Sequence, residues 1–273
     1  MTPHWHGRPL HAVLFDLDGT LADTAADIAL ALRLAMAEQG LAAPPVAAVR
    51  TMIGRGAAVL VVRAVEACGT PVDAAAQGAL LAGYHRHYAA LHDELLGGGS
   101  KARAYAGVAE GLAALHAAGL RLAVVTNKPQ AIALRLLQRL GLSPWFDLVV
   151  GGDNVAAGRK PAADPLLHAC DAMGVAPSQA LMVGDSGVDV AAARAAGLPV
   201  LCVPYGYNEG EDVRALACDG FVDSLAALPG RLMQRSTPSP TTTPARTRHA
   251  APAAARARGT APHDDPGALR PWH

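Results

Sequence analysis

The chain has 273 residues, 51% of them hydrophobic and 17% charged, with a formal net charge of zero, enough apolar material for one large or two modest domains. Charge is unevenly spread: residues 235–273 carry six Arg against two Asp, so the body is mildly acidic and the tail only sparsely basic, which excludes a nucleic-acid footprint. No stretch approaches the roughly 20 apolar residues that cross a bilayer, and the four cysteines, Cys68, Cys170, Cys202 and Cys218, have no C-x-x-C spacing, which argues against a zinc site or disulfide framework and for a soluble cytoplasmic protein.

Residues 11–15 are a short apolar run ending at an Asp and followed by the turn Asp18-Gly19, the pattern of a buried parallel strand. Helical spacing follows over 24–39, stopped by Gly40, and then over 46–52, 57–68 and 73–96. The third of these helices is preceded by Gly54-Arg55-Gly56, and the set closes on Gly97-Gly98-Gly99-Ser100. Residues 23–103 thus form a helical insertion. Beyond it helices and strands alternate: helix 108–118, strand 121–126, helix 129–140, strand 147–150, helix 165–173, strand 180–183, helix 188–196, strand 200–203 and a last short strand near 220–222. This predicts an α/β fold, a doubly wound (Rossmann-like) five-stranded parallel-sheet core made of 1–22 and 104–234, with its site at the carboxyl ends of the strands. Residues 235–273 are Pro, Thr, Ala and Arg with almost no large apolar side chains, the composition of a disordered tail.

Reactive candidates fall where such a fold would place them. Asp16 and Asp18 straddle a turn that lets both carboxylates reach the rim, and two negative groups so close call for a hard cation such as Mg²⁺. Such an ion would ease attack of a carboxylate on an anionic phosphate. Read alone, D-x-D-G is equally a turn with solvated carboxylates. Thr126 and Asn127 end a strand just before a helix, a seat for phosphate oxygens or a plain helix cap. Lys160, before Pro161, is either a loop charge or a cation held against phosphate. Asp185 and Asp189, in Gly184-Asp185-Ser186-Gly187-Val188-Asp189, follow the next strand, and Asp189 suits a helix cap as well as a site.

The run Phe15-Asp16-Leu17-Asp18-Gly19-Thr20-Leu21-Ala22-Asp23-Thr24 resembles the first motif of the haloacid dehalogenase superfamily, D-x-D-G-T-[LV]-x-D-[ST], position for position. Val124-Val125-Thr126-Asn127-Lys128, Arg159-Lys160-Pro161 and Gly184-Asp185-Ser186 are similar to its second, third and fourth motifs in the right order, although Lys160-Pro161-Ala162-Ala163-Asp164-Pro165 lacks the middle proline of K-P-x-P-x-P. The resemblance implies Asp16 as nucleophile and Asp18 as general acid/base, an Asp at the second position marking the phosphatase and phosphomutase branches. It implies Thr126, Asn127 and Lys160 as phosphate ligands, and Mg²⁺ held by the Asp16 carboxylate, the Asp18 carbonyl and Asp185, with Asp189 acting through water or on Lys160.

By the same resemblance the insertion is a small α-helical cap. Its segment Val49-Arg50-Thr51-Met52-Ile53-Gly54-Arg55-Gly56, and Tyr205-Gly206-Tyr207-Asn208-Glu209-Gly210-Glu211 beyond the fourth motif, resemble phosphoglycolate phosphatases over roughly 13–228. Phosphoglycolate has a second anion, a carboxylate, which Arg55 or the backbone at Gly54 and Gly56 would receive. The expected reaction is hydrolysis of a small phosphomonoester, 2-phosphoglycolate first. Sugar or amino-sugar phosphates, phosphomutase chemistry and a non-catalytic interaction role are the alternatives, and the sequence sets no oligomeric state.

Overall fold

The computed structural model describes residues 3–93, 99–154 and 158–233. The expected tail 235–273, Gly97, Gly98 and the end of the helix expected over 73–96 lie outside the described residues. The chain starts with a hairpin, β1 (His4–Trp5) against β2 (Arg8–Pro9), turned at His6 and Gly7. β3 (Ala12–Phe15) follows and is buried throughout.

β4 (Ala22–Asp23) pairs antiparallel with β5 (Arg103–Ala104), so the two passages of chain between the sheet and the insertion lie side by side. Between them run α1 (Ala25–Glu38), α2 (Val46–Arg50), α3 (Ala57–Cys68) and α4 (Ala74–Leu91). Ile28, Leu32, Ala35 and Met36 recur at helical spacing on α1 and pack with Leu60, Val61, Leu80, Tyr84 and Tyr88 in a core of their own. Asp73 caps α4 by accepting from the Ala76 amide at 2.8 Å. Gly69, at φ 67°, ends α3 in the left-handed conformation that glycine adopts without strain. The insertion is therefore the helical cap that the sequence predicts.

After α5 (Val108–Ala117) come β6 (Arg121–Val125), α6 (Gln130–Arg139), β7 (Leu148–Val150), α7 (Asp164–Ala172), β8 (Ala180–Gly184), α8 (Gly187–Ala196), β9 (Val200–Cys202) and α9 (Leu228–Met233). The sheet order is β7-β6-β3-β8-β9, all parallel. β3 is central, and the chain winds first to one side of it and then to the other, which makes its carboxyl end the switch point where α/β folds bind ligands. Alternation along the strands splits the core. Val13, Phe15, Val124 and Val183 face one layer with Leu112 and Leu136, while Ala12, Leu14, Val125 and Met182 face the other with Leu166 and Ala193.

Residues 220–222 do not form the expected last strand but a single parallel bridge, Cys202 to Phe221. Phe221 and Val222, between Gly220 and Asp223, offer too little apolar length to extend a ladder beside β9. The β1–β2 and β4–β5 pairs were not anticipated, because two-residue strands have no periodicity to read. Among the described residues no helix is long and apolar enough to cross a membrane.

Candidate active site

Register fixes the rim. Phe15 is level with Val124 and Val183, so the residues that follow each strand, Asp16, Thr126 and Asp185, emerge together. The Asp16 amide donates to the Val183 carbonyl at 3.0 Å, and the Thr126 amide to that of Val150 at 3.0 Å. Asp16, Thr126, Asn127, Lys160, Asp185 and Asp189 are all buried. Lys160 arrives from a loop, not from a strand end, and its ammonium lies 2.6 Å from Asp16 Oδ1 and 2.7 Å from Asp189 Oδ1.

Asp189 makes both a contact to Lys160 and a helix cap. Its Oδ1 faces Lys160, while its Oδ2 accepts from the amides of Asp185 and Ser186 and from the Ser186 hydroxyl, closing a capping box at the start of α8. Asp185 is walled in. Its Oδ2 accepts from the Tyr207 amide at 2.6 Å and its Oδ1 from Thr20 Oγ1 at 3.4 Å. A Cβ on Gly19 or Gly206 would lie 2.2 Å from Asp185 Oδ2 in either case, so the close approach requires glycine at both places.

Oxygens of Asp16, Asp185 and Asp189 fall within 4.8 Å of one another. Burial drives the Asp16 carboxyl up to about 7 against the pull of Lys160, with Asp189 adding to the rise. Burial, then Asp189 and Asp16, raise Asp185 well above the carboxylate range. Lys160, which burial alone would lower, is held above its usual value by Asp16 and Asp189. One ammonium thus faces three carboxylates, and the surplus negative charge, offered entirely by hard oxygen donors, suits a divalent cation. Asp18 adds no carboxylate to this group. Both its oxygens accept from Lys128 Nζ, at 2.9 and 2.8 Å, and Oδ1 also from Thr24 Oγ1 at 2.6 Å.

Between the rim and the helical insertion lies a cavity of ≈ 50 Å³. Asp16, Asp18, Thr126, Asn127 and Lys128 line it from the sheet side, and Ile53, Gly54, Gly56, Leu60, Tyr84 and Tyr88 from the insertion. Asn127 spends both Nδ2 donors, on the Gly54 and Lys160 carbonyls at 2.9 Å each. Its side chain therefore ties the insertion loop to the Lys160 loop, and it can offer an anion only its main-chain N–H. Arg55, expected to receive a second anion, does not line the cavity: its guanidinium makes two bonds to Glu209, at 2.9 and 3.0 Å, and is half exposed. Arg63 binds the same carboxylate.

Two residues of the site escaped the sequence reading. Lys128, next to Asn127, is buried and pairs with Asp18. Tyr207 reaches from the Asp185 carboxylate to the start of α1, where its hydroxyl donates to Asp23 at 2.7 Å and accepts from the Thr24 amide at 2.8 Å. Their partners are 110 and 184 residues away, beyond any local pattern. The signal available was position alone, in the second motif and in the Tyr205–Glu211 segment.

The family model described as haloacid dehalogenase-like hydrolase matches residues 13–203. Phosphoglycolate phosphatase of Thiobacillus denitrificans is 45% identical over 223 residues, 80% of this chain and 93% of that protein. The plasmid-borne phosphoglycolate phosphatase of Cupriavidus necator is 47% identical over 226 residues, 82% of this chain and 94% of that protein. The crystal structure of a predicted phosphoglycolate phosphatase from Haemophilus somnus 129PT is similar with a TM-score of 0.75 and 31% identity, covering 81% of this chain and 97% of that one.

Proposed function

The chain belongs to the haloacid dehalogenase-like hydrolases, in their phosphoglycolate phosphatase family, and from that membership we propose that it hydrolyses 2-phosphoglycolate to glycolate and inorganic phosphate through an aspartyl-phosphate on Asp16. Asp16 attacks phosphorus and the bond to the glycolate oxygen breaks, while Asp18 gives that oxygen its proton. A water then attacks the same phosphorus, Asp18 takes the water's proton, and the bond to Asp16 breaks to free phosphate.

The observation that carries this reading is the Lys160 ammonium, 2.6 Å from Asp16 and 2.7 Å from Asp189, in a buried cluster of carboxylates at the switch point. Lys160 holds Asp16 in place and offsets charge on the phosphoryl group as it transfers. Thr126 and the Asn127 main chain receive its oxygens. Asp16, Asp185 and the Asp18 main-chain carbonyl hold Mg²⁺, with Asp189 fixing Lys160. When bound, the ion supplies positive charge that lets an anionic nucleophile meet an anionic ester.

The test is phosphate release from a panel of phosphomonoesters with Mg²⁺ present. Phosphoglycolate is the preferred substrate, and Asp16→Asn abolishes turnover. A protein that favours a hexose phosphate, or an Asp16→Asn variant of normal rate, overturns the reading.

A further inference from the structure

Phosphoglycolate carries a carboxylate on the carbon next to the leaving oxygen, and a partly apolar cavity needs a cation to receive it. Arg55 is turned to Glu209. Lys128 is the one basic side chain among the described residues that line the cavity. The geometry points to Lys128 as the residue that binds the substrate's carboxylate and so selects acidic phosphomonoesters, an inference that rests on the phosphatase reading above.

Lys128 is placed for this by its neighbours. Its ammonium lies 2.9 and 2.8 Å from the two oxygens of Asp18. If Asp18 protonates the leaving oxygen, the substrate carboxylate, one carbon beyond that oxygen, comes to the same end of the cavity. Asp18 engages two of the three N–H donors of an ammonium, leaving capacity for one more acceptor. The face of the Tyr88 ring lies 4.5 Å from Nζ, which favours a cation there without competing for its hydrogen bonds. The Tyr88 hydroxyl is buried and has no hydrogen-bond partner among the described residues. Ile53, Leu60 and Ile132 add apolar lining, beside which a charge contact is stronger than in open water.

The cavity of ≈ 50 Å³ compares with the roughly 10–15 Å³ that a single water needs on the same measure. That is room for a carboxymethyl group. Selection then rests on charge: Lys128 separates phosphoglycolate from neutral esters of the same size.

The experiment compares kcat and KM of the Mg²⁺-loaded protein for 2-phosphoglycolate and for 2-hydroxyethyl phosphate, which has the same length and no carboxylate. The wild type prefers phosphoglycolate. In Lys128→Gln the ratio of the two kcat/KM values falls about 100-fold, the scale of a lost charge-assisted contact, and the fall lies mainly in KM. Lys128→Arg, which keeps the charge, restores most of the ratio. Lys128→Met serves if the Gln variant does not fold, as judged by its melting temperature. Equal losses for both substrates in the Gln or Met variant would mean that Lys128 serves Asp18 alone and would overturn the inference while leaving the phosphatase reading intact. A wild type that does not turn over phosphoglycolate overturns both.

Discussion

Lys160 Nζ and Asp16 Oδ1 lie 2.6 Å apart across 144 residues of sequence, both side chains nearly free of solvent. This contact joins a loop to the carboxyl end of the central strand, so the loop's position is set by charge as much as by packing. Lys160→Met would leave Asp16, Asp185 and Asp189 facing one another with no ammonium between them. Removing one partner of a buried pair costs about 3–5 kcal/mol. The variant is expected to melt well below the wild type in metal-free buffer and to recover more than the wild type when Mg²⁺ is added. Its phosphatase rate is expected to fall by about 10²–10³ or more, the scale of losing one electrostatic donor.

The same crowding sets a pH dependence. Asp16 ordinarily titrates at 3.8 and is raised by burial to about 7 in the fold. Between these values the folded protein holds a proton that the unfolded chain has released, so metal-free stability falls as pH rises from about 4 to about 7. Asp185 is shifted in the same direction and adds to the slope. A divalent cation competes with those protons, so Mg²⁺ should raise the melting temperature more at pH 7.5 than at pH 5. Equal shifts at the two values would count against an ion among these carboxylates.

Gly206→Ala tests how tightly Asp185 is held. The new methyl would lie 2.1 Å from Asp185 Cβ and 2.2 Å from its Oδ2, against the side chain of Asp185 itself. Overpacking of this kind costs about 1–3 kcal/mol. Because the displaced group is the carboxylate itself, the Mg²⁺ concentration needed for half-maximal rate is expected to rise at least about tenfold, by the logic that misaligned ligands lose affinity. Titration of activity against Mg²⁺ reads this directly.

What the sequence disclosed follows a physical boundary. The runs at Ala12–Phe15, Arg121–Val125 and Ala180–Gly184 are apolar because both faces of the sheet are covered, and each marks its own end, so Asp16, Thr126 and Asp185 could be placed on one rim. The helices of the insertion were equally legible from their spacing and from Gly40. Contacts between distant segments were not. Nothing near Arg55 reveals that Glu209 will take its guanidinium, and nothing near Lys128 reveals Asp18. Asn127 was read as a phosphate ligand, yet its amide donors are used to hold Gly54 and Lys160, a role that exists only once three loops have come together.

Tyr207→Phe removes one oxygen that serves three partners: the amides of Thr24 and Ala25, at 2.8 and 3.1 Å, and Asp23 Oδ1 at 2.7 Å. The two amides open α1, and Asp23 is also bound by Arg50 at 3.2 Å. The ring stays in place, so the loss is one of hydrogen bonds rather than packing. The Ala25 amide keeps Asp23 Oδ1 at 3.3 Å, so the Thr24 amide is the buried donor left unpaired, at a cost of about 1–3 kcal/mol. Chemical denaturation should show that loss with an unchanged slope against denaturant.

Arg55→Ala separates the two cations on which the second anion of the substrate could depend. The Arg55 side chain is 48% exposed and bonded to Glu209 at 2.9 Å, and exposed pairs contribute only about 0–1 kcal/mol. Glu209 keeps Arg63 in its absence, so the loop after β9 retains a link to α3. The melting temperature should therefore move little, and KM for phosphoglycolate should change by less than about threefold, within that same 0–1 kcal/mol. If Arg55 instead swung into the cavity on substrate binding, it would have to give up both bonds to Glu209, and its removal would raise KM for phosphoglycolate while leaving 2-hydroxyethyl phosphate unaffected. A selective rise in KM for Arg55→Ala would thus move the carboxylate from Lys128 to Arg55, and its absence, alongside a selective rise for Lys128→Gln, would fix it on Lys128.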